Sequence, residues 1–107
     1  MATYVRWYRA DSDLWCYEEL DDQRWARRHV EVQASGQAVV AAASLDEVLH
    51  ARDLGGTTAV VDYERHYGIV PEARFPESPG GGQPALELVT MREFEELWQR
   101  GRRACET

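Results

Sequence analysis

Lysine and asparagine are absent from this sequence, and all twelve basic side chains are arginine. Codons for both missing residues are AT-rich, so we attribute their absence to a GC-rich coding sequence and do not count the arginines as evidence of phosphate binding. The formal net charge is −7. Nucleic acid repels a chain of this charge unless its bases are gathered on one face. We therefore expect no nucleic-acid partner, and the acidic balance favours a basic protein partner.

Long hydrophobic runs are also missing. No apolar stretch approaches the roughly 20 residues that cross a bilayer, and residues 1–13 lack the pattern of a secretory signal. We expect a cytoplasmic location and no membrane contact. The length of 107 residues fits a single domain, residues 1–107, which can bury a core without metal or disulfide.

Cysteine is scarce, and the common catalytic motifs do not occur. The two cysteines, Cys16 and Cys105, make neither a disulfide framework nor a CxxC pair. Cys16 lies in the apolar stretch LWCY and is predicted to be buried, whereas Cys105 is predicted to be an exposed thiol. There is no P-loop, GxSxG or HExxH motif, and His29 and His50 lack a zinc-ligand spacing. We expect no cofactor and no metal, and an enzyme is the less favoured class.

Alternation of apolar and polar residues predicts four strands in the first part of the chain. They span residues 3–9, 14–20, 25–34 and 37–43. A two-residue turn at 35–36 would join the last two strands. It would pair Val32 with Val39 and Val30 with Ala41, so that the apolar faces coincide.

Capping boxes predict two helices in the second part of the chain. Ser44 and Glu47 form the first capping box, and the helix that they begin should stop at Gly55. A fifth strand is predicted at 57–63. The second begins at Thr90 and follows a Pro/Gly-rich surface loop at 71–84 and a short extended segment at 85–89.

These elements predict an α+β fold. A mainly antiparallel sheet of four to five strands would carry the C-terminal helix and the shorter middle helix on one face. The predicted core residues are Trp7, Val30, Val32, Val39, Phe94, Leu97 and Trp98.

A charged stretch joins the second and third predicted strands. Its acids are Glu18, Glu19, Asp21 and Asp22, followed by Arg24, Trp25, Arg27 and Arg28. Three interpretations remain open. The acids fit a solvated turn paired with neighbouring arginines, an acidic rim around Trp25 as a partner-binding anchor, or paired-carboxylate chemistry.

A second polar group lies in the predicted fifth strand. Asp62, Glu64 and His66 would point to one side there, as the polar face of a strand or as metal ligands or an acid–base pair. The four tryptophans and five tyrosines fit core or protein-interface positions better than base stacking, because the net charge opposes nucleic acid.

Three motifs resemble a family of short bacterial α+β proteins without a characterised function. They are the V-R-W strand at residues 5–7, Y-x-E-L-D-x-x-R-W at 17–25 and E-F-E-x-x-W at 93–98. The resemblance covers residues 3–43 and 86–98, and the middle of the chain departs from it. It implies no catalytic residues. Many such small acidic proteins look like immunity or antitoxin partners.

Two functions from different classes remain. The first is an acidic, immunity- or regulator-like module that binds a basic protein through Glu18, Glu19, Asp21, Asp22 and Trp25. The alternative is a small enzyme or ligand-binding protein of a biosynthetic pathway, with a pocket between sheet and helices and Asp62, Glu64 and His66 as candidates. A flat acidic face would favour the first, and polar groups converging in an apolar pocket the second.

Overall fold

The fold is built from five strands and two helices in a computed structural model that describes residues 1–77 and 85–106. The strands are β1 (Thr3–Arg9), β2 (Leu14–Leu20), β3 (Ala26–Gln33), β4 (Val39–Ser44) and β5 (Glu87–Leu88), and the helices are α1 (Leu45–Tyr67) and α2 (Met91–Cys105). All strand pairs are antiparallel, in the order β4-β3-β2-β1-β5. The predicted α+β class is confirmed.

The register of β3 against β4 agrees with the sequence pattern at one of the two predicted pairs, and a separate register shift lies between Glu19 and Leu20 in the pairing of β2 with β3. Val32 lies opposite Val39 as predicted, but Val30 lies opposite Ala42 instead of Ala41. The register shifts between Glu31 and Val32, because a bulge sets two residues of one strand against one of its partner.

One face of the sheet carries α2, whose capping box is formed as predicted: the Thr90 side chain accepts a hydrogen bond from the Glu93 amide. Phe94 and Leu97 pack there against Tyr17, Val30, Val32, Val39 and Ala42. Gly101 lets the helix approach β4 closely, since an added Cβ would lie 2.7 Å from a methyl of Val39. The absence of a side chain at Gly101 therefore sets how close α2 lies to Val39 and Ala42 of β4.

The prediction of a fifth strand at 57–63 is wrong. The Ser44 cap forms as predicted, but α1 continues beyond a kink at Gly56, where φ is 68°. The β-branched residues there favoured a strand, while Tyr63 and Tyr67, four residues apart, share one side of a helix and pack on the second core cluster. Gly56 itself is non-helical, so the first helical segment of α1 ends at the glycine pair as predicted, and a second helical segment follows directly.

The second core cluster lies on the opposite side of the sheet and holds the first half of the predicted surface loop, which is irregular and mostly exposed at 71–77. Its buried members are Val5, Leu20, Ala26, Ala43 and Val70. Phe75 packs against them, and Arg74 forms an isolated β-bridge with Trp25. The first half of the predicted loop is thus attached to the fold, and 78–84 lies outside the described residues.

Five of the seven predicted core residues are buried, while Trp7 and Trp98 are half-buried. The guanidinium groups of Arg28 and Arg102 stack on Trp98 at 4.9 and 4.4 Å from its ring. In the part of the chain described, no helix is both long enough and apolar enough to span a membrane.

We expect Phe94→Ala to lower the free energy of unfolding by about 3–5 kcal/mol, because Phe94 is fully buried and the surrounding side chains cannot fill its volume. Met91→Ala on the same helix is the control. The sequence pattern places Met91 on the packed face, but its side chain is 62 % exposed, so its loss should cost about 0.5 kcal/mol or less. Urea unfolding measures both, and equal losses would contradict the packing of α2.

Candidate functional site

A polar cluster lies inside the sheet where β2 pairs with β3. Cys16 lies opposite Glu31, and Glu18 lies opposite His29. Because alternate residues of a strand point to the same face, all four side chains lie on one side of the sheet. Glu18 and His29 are fully buried, which is unusual for ionisable side chains and requires that they be paired.

His29 bridges two carboxylates. Its Nδ1 lies 2.7 Å from a Glu18 oxygen, and its Nε2 lies 2.8 Å from a Glu31 oxygen. Both ring nitrogens must then donate, so the ring is an imidazolium. Burial alone would lower the His29 pKa, but the charge of Glu18 and the hydrogen bonds to both carboxylates raise it to about 9. The bond from His29 lowers the pKa of Glu31.

The cluster continues at both ends. The Trp7 indole donates to Glu18 at 2.9 Å, which gives that buried carboxylate a second donor. At the other end Arg9 lies 3.6 Å from Glu31. The result is a chain of alternating charges that runs from a buried end to the surface.

Cys16 is buried beside this chain, as predicted, and burial raises the pKa of its thiol to about 12. A thiol of that pKa is not a nucleophile at neutral pH. The Cys16 sulfur, a His29 nitrogen and a Glu31 oxygen lie within 4.8 Å of one another, a grouping that could hold a metal ion. Cys105, predicted to be exposed, is half-buried in α2.

A cleft of about 390 Å³ opens beside the polar cluster. It is lined by Arg9, Glu31, Glu64, Gly68, Ile69 and Pro71. Glu64, from α1, is the member of the predicted Asp62, Glu64 and His66 group that reaches this cleft. The prediction that these three point to one side is wrong, because residues two apart on a helix point in nearly opposite directions.

The acids of the charged stretch have separate roles. Glu18 is buried, so its predicted surface position is wrong. Glu19 is half-buried, and Arg28 binds both of its oxygens at 2.8 and 2.9 Å. Asp21 accepts hydrogen bonds from the backbone amides of Gln23 and Trp25, so it shapes the turn.

Trp25 and Asp22 remain at the surface. The Trp25 residue is 46 % exposed, and the Asp22 side chain is 67 % exposed and paired with the amino group of Met1. The backbone beneath Trp25 is held on two sides, by Asp21 and by the bridge to Arg74. We name the surface formed by Trp25, Asp22 and residues 72–77 the Trp25 edge.

Most arginines act within the fold. Ion pairs with acids engage Arg6, Arg9, Arg27, Arg28, Arg52 and Arg102. Backbone carbonyls accept hydrogen bonds from Arg24, Arg74 and Arg100. Few basic groups are thus left to offset the surplus of exposed acids.

A further cleft, of about 660 Å³, lies where α1 bends past α2. Arg102 crosses it and binds both oxygens of Glu47 and the hydroxyl of Tyr63. These contacts hold α1 against α2.

Comparison with known proteins adds no relative: no family model, curated protein or solved structure matches the chain. The resemblance of its motifs to short bacterial proteins therefore stays a prediction. Fold and site define a small acidic α+β domain with a buried Glu–His–Glu chain and an exposed tryptophan edge.

The sequence contained a signal for the buried cluster that motif spacing misses. His29 and Glu31 are two residues apart on one strand, and Cys16 and Glu18 are two apart on the preceding strand. Antiparallel pairing across the turn at 21–25 sets the two pairs opposite each other. A search for ligands at a fixed spacing along the chain, as is used for zinc motifs, overlooks residue pairs that meet across paired strands.

We expect stability to fall as pH rises from about 6.5 to 9 in protein freed of metal by a chelator. The folded pKa of His29, about 9, lies above its ordinary 6.5, so its stabilisation is complete below about 6.5 and lost as pH passes about 9. The loss should reach at most about 3 kcal/mol, measured by urea unfolding across this range.

The control for this pH dependence is His50→Ala, which removes an exposed histidine and should keep the decline. His29→Gln should have lower stability at pH 6 and a nearly flat profile up to pH 9. A decline of the same size in His29→Gln would assign the pH dependence to another group.

Proposed function

We propose that this chain is a protein-binding module that engages a basic protein partner through the Trp25 edge, in the manner of an immunity or regulatory protein. The observation that carries the proposal is the exposed indole of Trp25 on a fixed backbone. Tryptophan is enriched among residues that dominate binding energy at protein interfaces. Trp25 belongs to neither core cluster, so core packing does not explain the position of its side chain.

Preorganisation supports this use of Trp25. Arg24 donates to the backbone carbonyl of Phe75 at 2.6 Å, and the Phe75 amide donates back to the Arg24 carbonyl at 2.8 Å. The turn that presents the indole is therefore tied to the segment beside it. A side chain held in its binding position loses less conformational entropy on association.

Charge supports a basic partner. The net charge is −7, most arginines are engaged within the fold, and the Trp25 edge carries the exposed acids Asp22, Glu72 and Glu77. Opposite charge on a partner would speed association and make it sensitive to salt.

The cleft beside Glu31 favours a second candidate function, the binding of a small ligand. Arg9, Glu31 and Glu64 line this cleft, and one cation with two carboxylates suits a zwitterionic or polar ligand. Catalysis by His29 has less support, because both its ring nitrogens are engaged and its side chain is fully buried.

We expect Trp25→Ala to weaken partner binding by about 2 kcal/mol or more and to change the free energy of unfolding by about 1 kcal/mol or less, since Trp25 is 46 % exposed. Wild type and variant would be used in parallel to capture partners from native extract at low salt. The affinity of an identified partner would then be measured by calorimetry.

The matched control is Leu54→Ala, which removes a large apolar side chain that is 77 % exposed on another element. It should bind the partner like wild type, and Asp22→Asn should bind with a smaller salt dependence. Equal weakening by Leu54→Ala and Trp25→Ala would remove the Trp25 edge as the binding surface. A partner whose binding is insensitive to both salt and Trp25 would contradict the proposal.

A further inference from the structure

Cys16, His29 and Glu31 bring one sulfur, one nitrogen and one oxygen donor together inside the sheet. Their ligand atoms all lie within 4.8 Å of one another. Zinc is bound by cysteine, histidine and acidic side chains in tetrahedral sites, whereas calcium and magnesium take oxygen donors. The donor set therefore matches zinc and related transition metals.

We propose that Cys16, His29 and Glu31 bind a zinc ion, with a fourth coordination position open to the cleft beside Arg9 and Glu64. This site goes beyond the proposed partner binding and does not depend on it. Three protein ligands with one open position is the arrangement of zinc sites that accept water or a further ligand.

The distances require only a small adjustment. Zinc lies about 2.0–2.3 Å from its ligands, so tetrahedral donors stand roughly 3.2–3.8 Å apart. The Nε2 atom of His29 and the Glu31 oxygen are now 2.8 Å apart, sharing a proton. They would separate by roughly half an ångström as the ion replaced that proton, and the sulfur of Cys16 would move inward.

The surroundings of His29 are those of a zinc ligand. Its Nδ1 is bonded to Glu18 at 2.7 Å, and Glu18 is held in turn by the Trp7 indole at 2.9 Å. A ligating histidine nearly always gives its second ring N–H to a carboxylate or carbonyl, which fixes the ring and strengthens the metal bond. Glu18 is thus in place to orient His29 toward the ion.

The charge of the cluster would not change on binding. Zinc requires cysteine as thiolate and histidine as neutral imidazole, so one proton would leave the Cys16 sulfur and one would leave Nε2 of His29. A divalent cation replaces those two positive charges. This matters because the cluster is buried, where an uncompensated charge is costly.

The ion has a route to the site. Glu31 keeps 18 % of its side chain exposed and lines the cleft that also contains Glu64. Glu31 is therefore the ligand at which zinc would enter from solvent. Arg9, 3.6 Å from Glu31, would lie beside the open position, where it could attract an anionic fourth ligand.

The experiment is titration of the chelator-treated full chain with Zn²⁺ and, separately, Co²⁺. We expect one tightly bound equivalent, a sulfur-to-cobalt charge-transfer band, and release of about two protons per zinc, obtained by calorimetry in two buffers of different ionisation heat. Cys16→Ser should lose the band and bind zinc roughly 100-fold more weakly or worse, and Glu18→Gln should bind it about 10–100-fold more weakly.

The controls separate this site from surface binding. Cys105→Ser, and His50→Ala combined with His66→Ala, should bind like wild type. Loss of the band in Cys105→Ser but not in Cys16→Ser would overturn the proposal, as would no tight equivalent in wild type. If Cys16→Ser does not fold, Glu31→Gln at the cleft edge carries the test. A tenfold or greater loss of zinc affinity supports the site, and unchanged affinity overturns it.

Discussion

The pairing of His29 with two carboxylates is the interaction on which the rest of this structure depends. Glu18 and His29 are both fully buried, and an unpaired buried charge costs several kcal/mol. Their hydrogen bond forms only when β2 and β3 pair in the observed register, with Glu18 opposite His29. A slip by one residue would leave both charges without partners. The cluster thus penalises incorrect strand pairing at the centre of the sheet.

Arginine has a structural role here that lysine could not replace. Arg28 binds both oxygens of Glu19 while its guanidinium lies 4.9 Å from the ring centres of Phe94 and Trp98. Arg102 likewise binds Glu47 and stacks on Tyr67 and Trp98. A planar guanidinium can stack and form a forked hydrogen bond at the same time, whereas an ammonium cannot. From the sequence alone, the absence of lysine is attributed to codon composition. In the structure, α2 is attached through arginines that lysine could not replace, and the absence of lysine agrees with this packing as well.

Sequence pattern predicted the local structure well wherever one physical signal acted alone. The bounds of β1 and β2 and both helix caps agree with the structure. Prediction failed where signals competed. Residues 57–63 are β-branched yet helical, because Tyr63 and Tyr67 pack on the core only at helical spacing. The loop prediction did not include the packing of the half-buried Phe75 on the second core cluster.

The candidate site was harder to predict, because its residues meet across strands. Glu18 belongs to a run of four acids within five residues, a pattern that resembles an exposed surface. Alternation already separates Glu18 from Glu19, and it places Glu18 on the side of His29. No sequence pattern indicated that Arg9, Glu31 and Glu64 share a cleft, because α1 was not predicted to reach it.

The hairpin between β3 and β4 leaves room for engineering. Gln37 adopts a left-handed backbone conformation with φ of 59°, which costs a non-glycine residue about 1 kcal/mol. Its side chain is exposed, and its contact with Arg100 uses the backbone carbonyl, which glycine would keep. Glycine at this position would therefore relieve strain without removing a contact. Because the gain is about 1 kcal/mol and an unpaired buried charge costs several kcal/mol, this substitution would offset only part of the loss when one residue of the buried charge chain is removed.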